Sequence, residues 1–199
     1  MRLNKNSKIF LAGHNGMVGS AILRYFRNKK YRKIFYEDKK TLNFLDQKKT
    51  EKYLLKIKPD FVIIAAARVG GIHANNQFKG EFIYENLMIQ TNILHSSYRA
   101  GVKKLIFLGS SCIYPKFSKQ PIKEKYLLSG KLEPTNRSYS IAKIAGIEMC
   151  RAFSQQFGVN YTSVQPNNLY GPNDNFTDDS AHVISSLFRK LEFAKKKKS

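Results

Sequence analysis

Tyr139 and Lys143 stand four residues apart in "SYSIAKIAG", a spacing that places both side chains on one face of a helix. A phenol titrating at about 10 is a weak acid–base group at neutral pH. A neighbouring ammonium favours the phenolate and lowers that value, so the pair is expected to exchange a proton with a substrate oxygen. Lys143 is also placed to hold a cofactor ribose. The same spacing recurs at Tyr25/Lys29 and Tyr36/Lys40, which we read as solvated surface. Tyr139 differs in its context, because Ala142, Ala145 and Gly146 let its helix approach a neighbour closely.

Upstream, residues 107–116 read "FLGSSCIYPK". Ser110 and Ser111 follow an apolar run, at the carboxyl end of a strand, where open α/β sheets place their ligands. A hydroxyl there is positioned to bond the carbonyl that Tyr139 would protonate. Cys112 comes next, and turn chemistry does not require a thiol. On residues alone it is either a small packing residue or a reagent. Cys150 lies on the apolar side of the Tyr139 helix and is expected in the core. No metal-ligand spacing links the four histidines and two cysteines.

A second candidate is "GHNGMVG", with Gly13, Gly16 and Gly19 spaced by three around His14, Asn15, Met17 and Val18. A sharp turn, a close backbone approach to a pyrophosphate and tight helix–strand packing all require small residues. The free N–H groups of the following helix then face the phosphates. His14 is expected to shape the loop. Further on, "YEDKK" offers Glu37 or Asp38 to a free ribose 2′-hydroxyl and Lys39 or Lys40 to a 2′-phosphate. The residues leave that choice open.

These groups need elements to hold them. Apolar runs at Lys8–Ala12, Lys33–Tyr36, Phe61–Ala65, Leu105–Leu108 and Tyr161–Gln165 predict strands. Helical periodicity covers Met17–Asn28, Lys48–Lys56, Glu81–Ala100, Ser138–Phe157 and Ala181–Lys190. The alternation predicts an α/β fold with a doubly wound, Rossmann-like parallel sheet. Gly101 and Gly158 sit where helix C-terminal caps are expected. Residues 116–137, broken by Pro121 and Pro134, form a long loop of the kind that often serves binding.

The 199 residues carry a net charge of +21. Lysine far outnumbers arginine, the basic residues are scattered, and no nucleic-acid-binding signature accompanies them. They read as a solvated surface, with no nucleic-acid partner. No run approaches the roughly 18 apolar residues of a membrane span, and the N-terminus has no secretory pattern. A cytoplasmic protein with reduced thiols and no membrane partner is expected. The tail "LEFAKKKKS" follows a helical pattern directly, and an early end of the chain is expected there.

Together the glycine turn, the strand-end serine and the Tyr-x-x-x-Lys helix resemble the extended short-chain dehydrogenase/reductases. Within these, "AGHNGMVGSAI", "AAARVGGIHANN", "FLGSSCIYPK", "LEPTNRSYSIAKIAGI" and "QPNNLYGPNDNF" resemble the GDP-L-fucose synthase family in its own order. The resemblance implies NADPH-dependent 3,5-epimerisation and 4-reduction of GDP-4-keto-6-deoxy-D-mannose. It makes Cys112 the base and His182 the acid at the carbons flanking the keto group. Ser110, Tyr139 and Lys143 then serve the reduction.

For NADP(H) the resemblance implies the glycine turn with His14, Asn15, Met17 and Val18, the strand end Leu108, Gly109, Ser110 and Ser111, and Lys143. It adds Pro166, Asn167, Asn168, Leu169 and His182, and favours Lys39 at the 2′-phosphate. Lys190 stands where a substrate-binding arginine is expected, and Asn15 where relatives commonly carry arginine. A dinucleotide-binding domain over 1–171, the truncated start of a substrate domain over 172–199, and a homodimer through helices 81–100 and 138–157 are implied as well. The rival expectations are an inactive dinucleotide-binding remnant and, on charge alone, a nucleic-acid-binding module.

Overall fold

The computed structural model describes residues 2–176, 181 and 183–197. Five strands, β1 (Lys8–Ala12), β2 (Lys33–Phe35), β3 (Phe61–Ile64), β4 (Lys104–Leu108) and β5 (Asn160–Val164), form one parallel sheet in the order β2-β1-β3-β4-β5. The helices are α1 (Met17–Asn28), α2 (Gln47–Ile57), α3 (Ile72–Gln77), α4 (Lys79–Arg99), α5 (Arg137–Phe157) and α6 (Val183–Lys197). The five strands and five of the helices lie where periodicity predicts them, within two residues at most ends. α6 runs on through the lysine tail to Lys197, beyond the expected Lys190. α3 was not expected: six residues of "IHANNQ" carry too little pattern to read.

Alternation along the strands divides the core. Phe10, Ala12, Val62, Ile64, Leu105 and Phe107 join one buried cluster with residues of α2, α4 and α5. Ile9, Leu11 and Ile63 point the other way, against Leu23 and Phe26 of α1. This period of two is what a sheet covered on both faces demands. Gly158 ends α5 in the left-handed conformation at φ 66°, as its sequence position predicts.

The sheet reverses its winding between β1 and β3, and ligands of open α/β folds bind beyond the carboxyl ends of such strands. Gly13 leaves β1 there at φ 86°, and a Cβ on it would lie 2.5 Å from the Ala66 nitrogen. Gly19 meets the turn from the helix side, where an added Cβ would lie 1.9 Å from the Gly13 carbonyl oxygen. Around Gly16 the space is open to 3.6 Å. Gly19→Ala is therefore expected to destabilise the chain by about 3 kcal/mol. Gly16→Ala should stay within about 1 kcal/mol, a contrast that urea melts of the two variants resolve.

Candidate active site

At the carboxyl end of β4, Ser110 begins a single 3-10 turn, Ser111–Ile113. The Ser110 hydroxyl accepts the Cys112 backbone N–H at 3.3 Å. Ser140 of α5 donates its hydroxyl to the Cys112 carbonyl at 2.8 Å. One turn further along the helix, the Lys143 ammonium donates to the Leu108 carbonyl at 2.8 Å. The turn bearing the thiol is thus bonded to the helix bearing the phenol and the amine. Ser111 bonds Asn167 at 3.2 Å, joining this turn to the segment after β5. An open cleft of about 560 Å³ lies beside it, lined by Ser111, Tyr114, Glu124, Gln165 and Asn167 among others.

Ser110, Cys112, Tyr139 and Lys143 converge. Ser110 lies close enough to Tyr139 to favour its phenolate and oppose the rise in its pKa. The Cys112 sulfur lies near enough to Tyr139 to disfavour a second negative charge there. The Lys143 nitrogen sits 5.7 Å from the Tyr139 ring centre and 4.7 Å from that of Phe107.

The expected lowering of the Tyr139 pKa does not occur. Desolvation pushes the phenol up to about 12, with Cys112 adding to the rise and Ser110 opposing it. Lys143, 3% exposed, is brought down to about 8 by the same cause. Burial disfavours the charged form of each group.

At the glycine turn, Met17, Val18 and Gly19 open α1, and no side chain caps that end. The N–H groups of this first turn and the absence of an acid there fit a pyrophosphate. His14 is buried, with its ring 4.5 Å from Tyr36. Asp38 accepts a hydrogen bond from the Asn15 side chain and lies 3.5 Å from His14 Nε2. Glu37 accepts from the Tyr53 hydroxyl at 3.1 Å. Lys39 is exposed, as are Asn167, Asn168 and Leu169, while Leu108 and Pro166 are half-buried and Gly109 is buried.

His182 lies outside the described residues. Lys190 is exposed on α6 and, among the described residues, makes no hydrogen bond or ion pair with the Tyr139 group. Cys150 is in the core, 1% exposed, with its thiol pushed up to about 12 by burial. Among the described residues no cluster of His, Cys, Asp or Glu could hold a metal ion, and no helix is long and apolar enough to cross a membrane. The sequence reading overlooked Ser140 and the Asp38–Asn15 bond. A mid-helix serine and an asparagine in a glycine turn carry no signal until their partners are placed.

Residues 9–198 match the model of the NAD dependent epimerase/dehydratase family. The chain belongs to that family. It is 51% identical over 195 residues to a GDP-L-fucose synthase of Sinorhizobium fredii, covering 98% of this chain and 62% of that protein. With the Escherichia coli GDP-L-fucose synthase it shares 49% identity over 187 residues, covering 94% of this chain and 58% of the relative.

A Campylobacter jejuni GDP-D-glycero-L-gluco-heptose synthase solved in the presence of NADPH superposes with a TM-score of 0.93 at 38% identity, over 98% of this chain and 57% of that one. A Naegleria fowleri GDP-L-fucose synthetase bound to NADP gives 0.89 at 30% identity, over 100% and 66%. The chain therefore spans about six-tenths of the length of these family members.

Two outcomes test the described environments. Iodoacetamide at pH 8 should label Cys112, which is half-buried, and leave Cys150 unlabelled, as read by peptide mass spectrometry of the folded chain. Unfolded, Lys143 would titrate near 10.5. Between about 8 and 10.5 the unfolded chain then holds more protons, so stability rises with pH across that window. Cys150, raised from 9.0, acts in the opposite sense above pH 9. From pH 8 to 9, wild type should gain about 1 kcal/mol relative to Lys143→Met in urea melts.

Proposed function

We propose that this chain carries the cofactor-binding and proton-transfer part of a sugar-nucleotide epimerase–reductase. It would act on GDP-4-keto-6-deoxy-D-mannose with NADP(H) to give GDP-L-fucose. The observation that carries the reading is the group at the end of β4: a serine, a phenol and a thiol brought together by the bonds between its turn and α5. Relatives named GDP-L-fucose synthase at about half identity support the substrate, and neighbours solved with NADP or NADPH support the cofactor.

A proton next to a keto group is acidified by it, and inversion needs a base on one face and an acid on the other. As its thiolate, Cys112 takes the proton at C3 or C5 and leaves an enolate, and His182 is the proposed acid that returns a proton to the opposite face. Tyr139, fully protonated at neutral pH, donates its proton to the oxygen at C4. Ser110 backs that donation, because its nearness favours the phenolate left behind. Bound nicotinamide would supply the hydride to C4. Its pyrophosphate would lie on Gly13, His14, Asn15, Gly16, Met17, Val18 and Gly19, with Leu108–Ser111 and Pro166–Leu169 beside the nicotinamide. Lys143 would bond the ribose and Lys39 a 2′-phosphate.

Residues 172–199 are proposed as the beginning of a substrate domain, with Lys190 facing the sugar nucleotide. A cytoplasmic homodimer through α4 and α5 is part of the same reading.

In deuterated water, wild type should place deuterium at C3 and C5 and oxidise NADPH. Tyr139→Phe is expected to keep the exchange and lose NADPH oxidation by about a hundredfold or more, and Cys112→Ser to lose the exchange by a similar factor. A folded chain that neither exchanges these protons nor consumes NADPH would refute the reading.

A further inference from the structure

At the adenosine end of the proposed cofactor site, the choice that the residues of "YEDKK" leave open is narrowed by the structure to one acid. Asp38 follows β2, about twenty residues beyond Gly19, where dinucleotide-binding folds discriminate the ribose 2′ substituent. Its carboxylate is held against the glycine turn by the Asn15 side chain, with His14 Nε2 at 3.5 Å from the same oxygen. The His14 ring is itself fixed, being buried against Tyr36. The Asp38 backbone is fixed as well, since its carbonyl accepts from Thr41 at 2.9 Å and Leu42 at 2.8 Å.

The alternatives along "YEDKK" are sorted by their partners. Glu37 is engaged by Tyr53 of α2, so it is committed to the body of the domain. Lys39 and Lys40 are exposed and, among the described residues, form no hydrogen bond or ion pair that would hold them at the turn. Only the acid is placed by a specific bond to the phosphate-binding loop.

Resting on the proposed dinucleotide site, we infer that Asp38 sets the cofactor preference and that its tethered carboxylate admits NADH on terms comparable with NADPH. A carboxylate accepts a hydrogen bond from a ribose 2′-hydroxyl. Toward a 2′-phosphate it is a like charge, and this repulsion offsets the attraction of Lys39. An asparagine in the glycine turn brings no cation to reverse the balance, whereas an arginine would. Discrimination is a difference of two affinities, so the repulsive element matters as much as the attractive one.

The test is calorimetric titration of the full chain with NADH and with NADPH, in wild type, Asp38→Asn and Lys39→Ala. Wild type should bind the two cofactors within about tenfold of one another, and Asp38→Asn should shift the ratio toward NADPH by roughly tenfold. Asparagine keeps a polar partner for Asn15, so the turn is retained. Lys39→Ala should shift the ratio toward NADH, which separates charge balance from a loss of fold.

A carboxylate that only braces the turn would change both affinities together and leave their ratio alone. That result, or wild-type binding of NADPH more than tenfold tighter than NADH, would overturn the inference. Failure of a folded chain to bind either cofactor would instead overturn the dinucleotide site on which it rests.

Discussion

A buried ammonium bonded to a strand-end carbonyl fixes the geometry on which the rest of the site depends. Lys143 reaches from α5 to the carbonyl of Leu108, the last residue of β4. Ser140, one turn earlier, bonds the carbonyl of Cys112. Gly146, one turn later, lies so close to β4 that a Cβ there would be 2.5 Å from the Phe107 ring. Three positions on one helix face thus set the distance, the register and the rotation of α5 against the strand. Tyr139, next to Ser140 on the same helix, is carried toward the strand end by this docking. A donor such as Lys143 is costly to bury without an acceptor, so the bond specifies one docking of the helix and penalises others.

The electrostatics follow from the same burial. Alone in a dry setting, a phenolate and an ammonium are each disfavoured, and both pKa values have moved toward the neutral forms. A phenol at about 12 is a poor base at pH 7 but a suitable acid for an alkoxide, whose conjugate alcohol is a weaker acid still. Once the proton leaves, Ser110 favours the phenolate left behind. Burial therefore biases the group toward giving a proton to a newly formed oxyanion.

Much of this was legible in the residues. Strands and long helices have strong periods, and Gly13, Gly19 and Gly158 sit where close approach or positive φ leaves little choice. Tyr139 and Lys143 could be placed on one face because a helix fixes that relation locally. What the sequence could not reveal were relations between distant segments. The sign of the Tyr139 shift does not follow from spacing, since it depends on how deeply β4 and α5 bury the phenol. Glu37 and Asp38 are adjacent in sequence and look equivalent there. They separate only when α2 claims one and the glycine turn the other. α3 is too short for any period to rise above its surroundings.

Ser110 shows how far a single hydroxyl constrains the chemistry. It accepts the N–H of Cys112, which shapes the turn carrying the thiol, and its nearness to Tyr139 favours the phenolate. Removing the serine would therefore disturb two things at once, the pose of Cys112 and the acidity of Tyr139. The proposed reaction would need a base for carbons on either side of a carbonyl and an acid for the carbonyl oxygen within one sugar ring of each other. The 3-10 turn after β4 holds a thiol and, through its bond to α5, a phenol near one strand end, which is the proximity such chemistry would require.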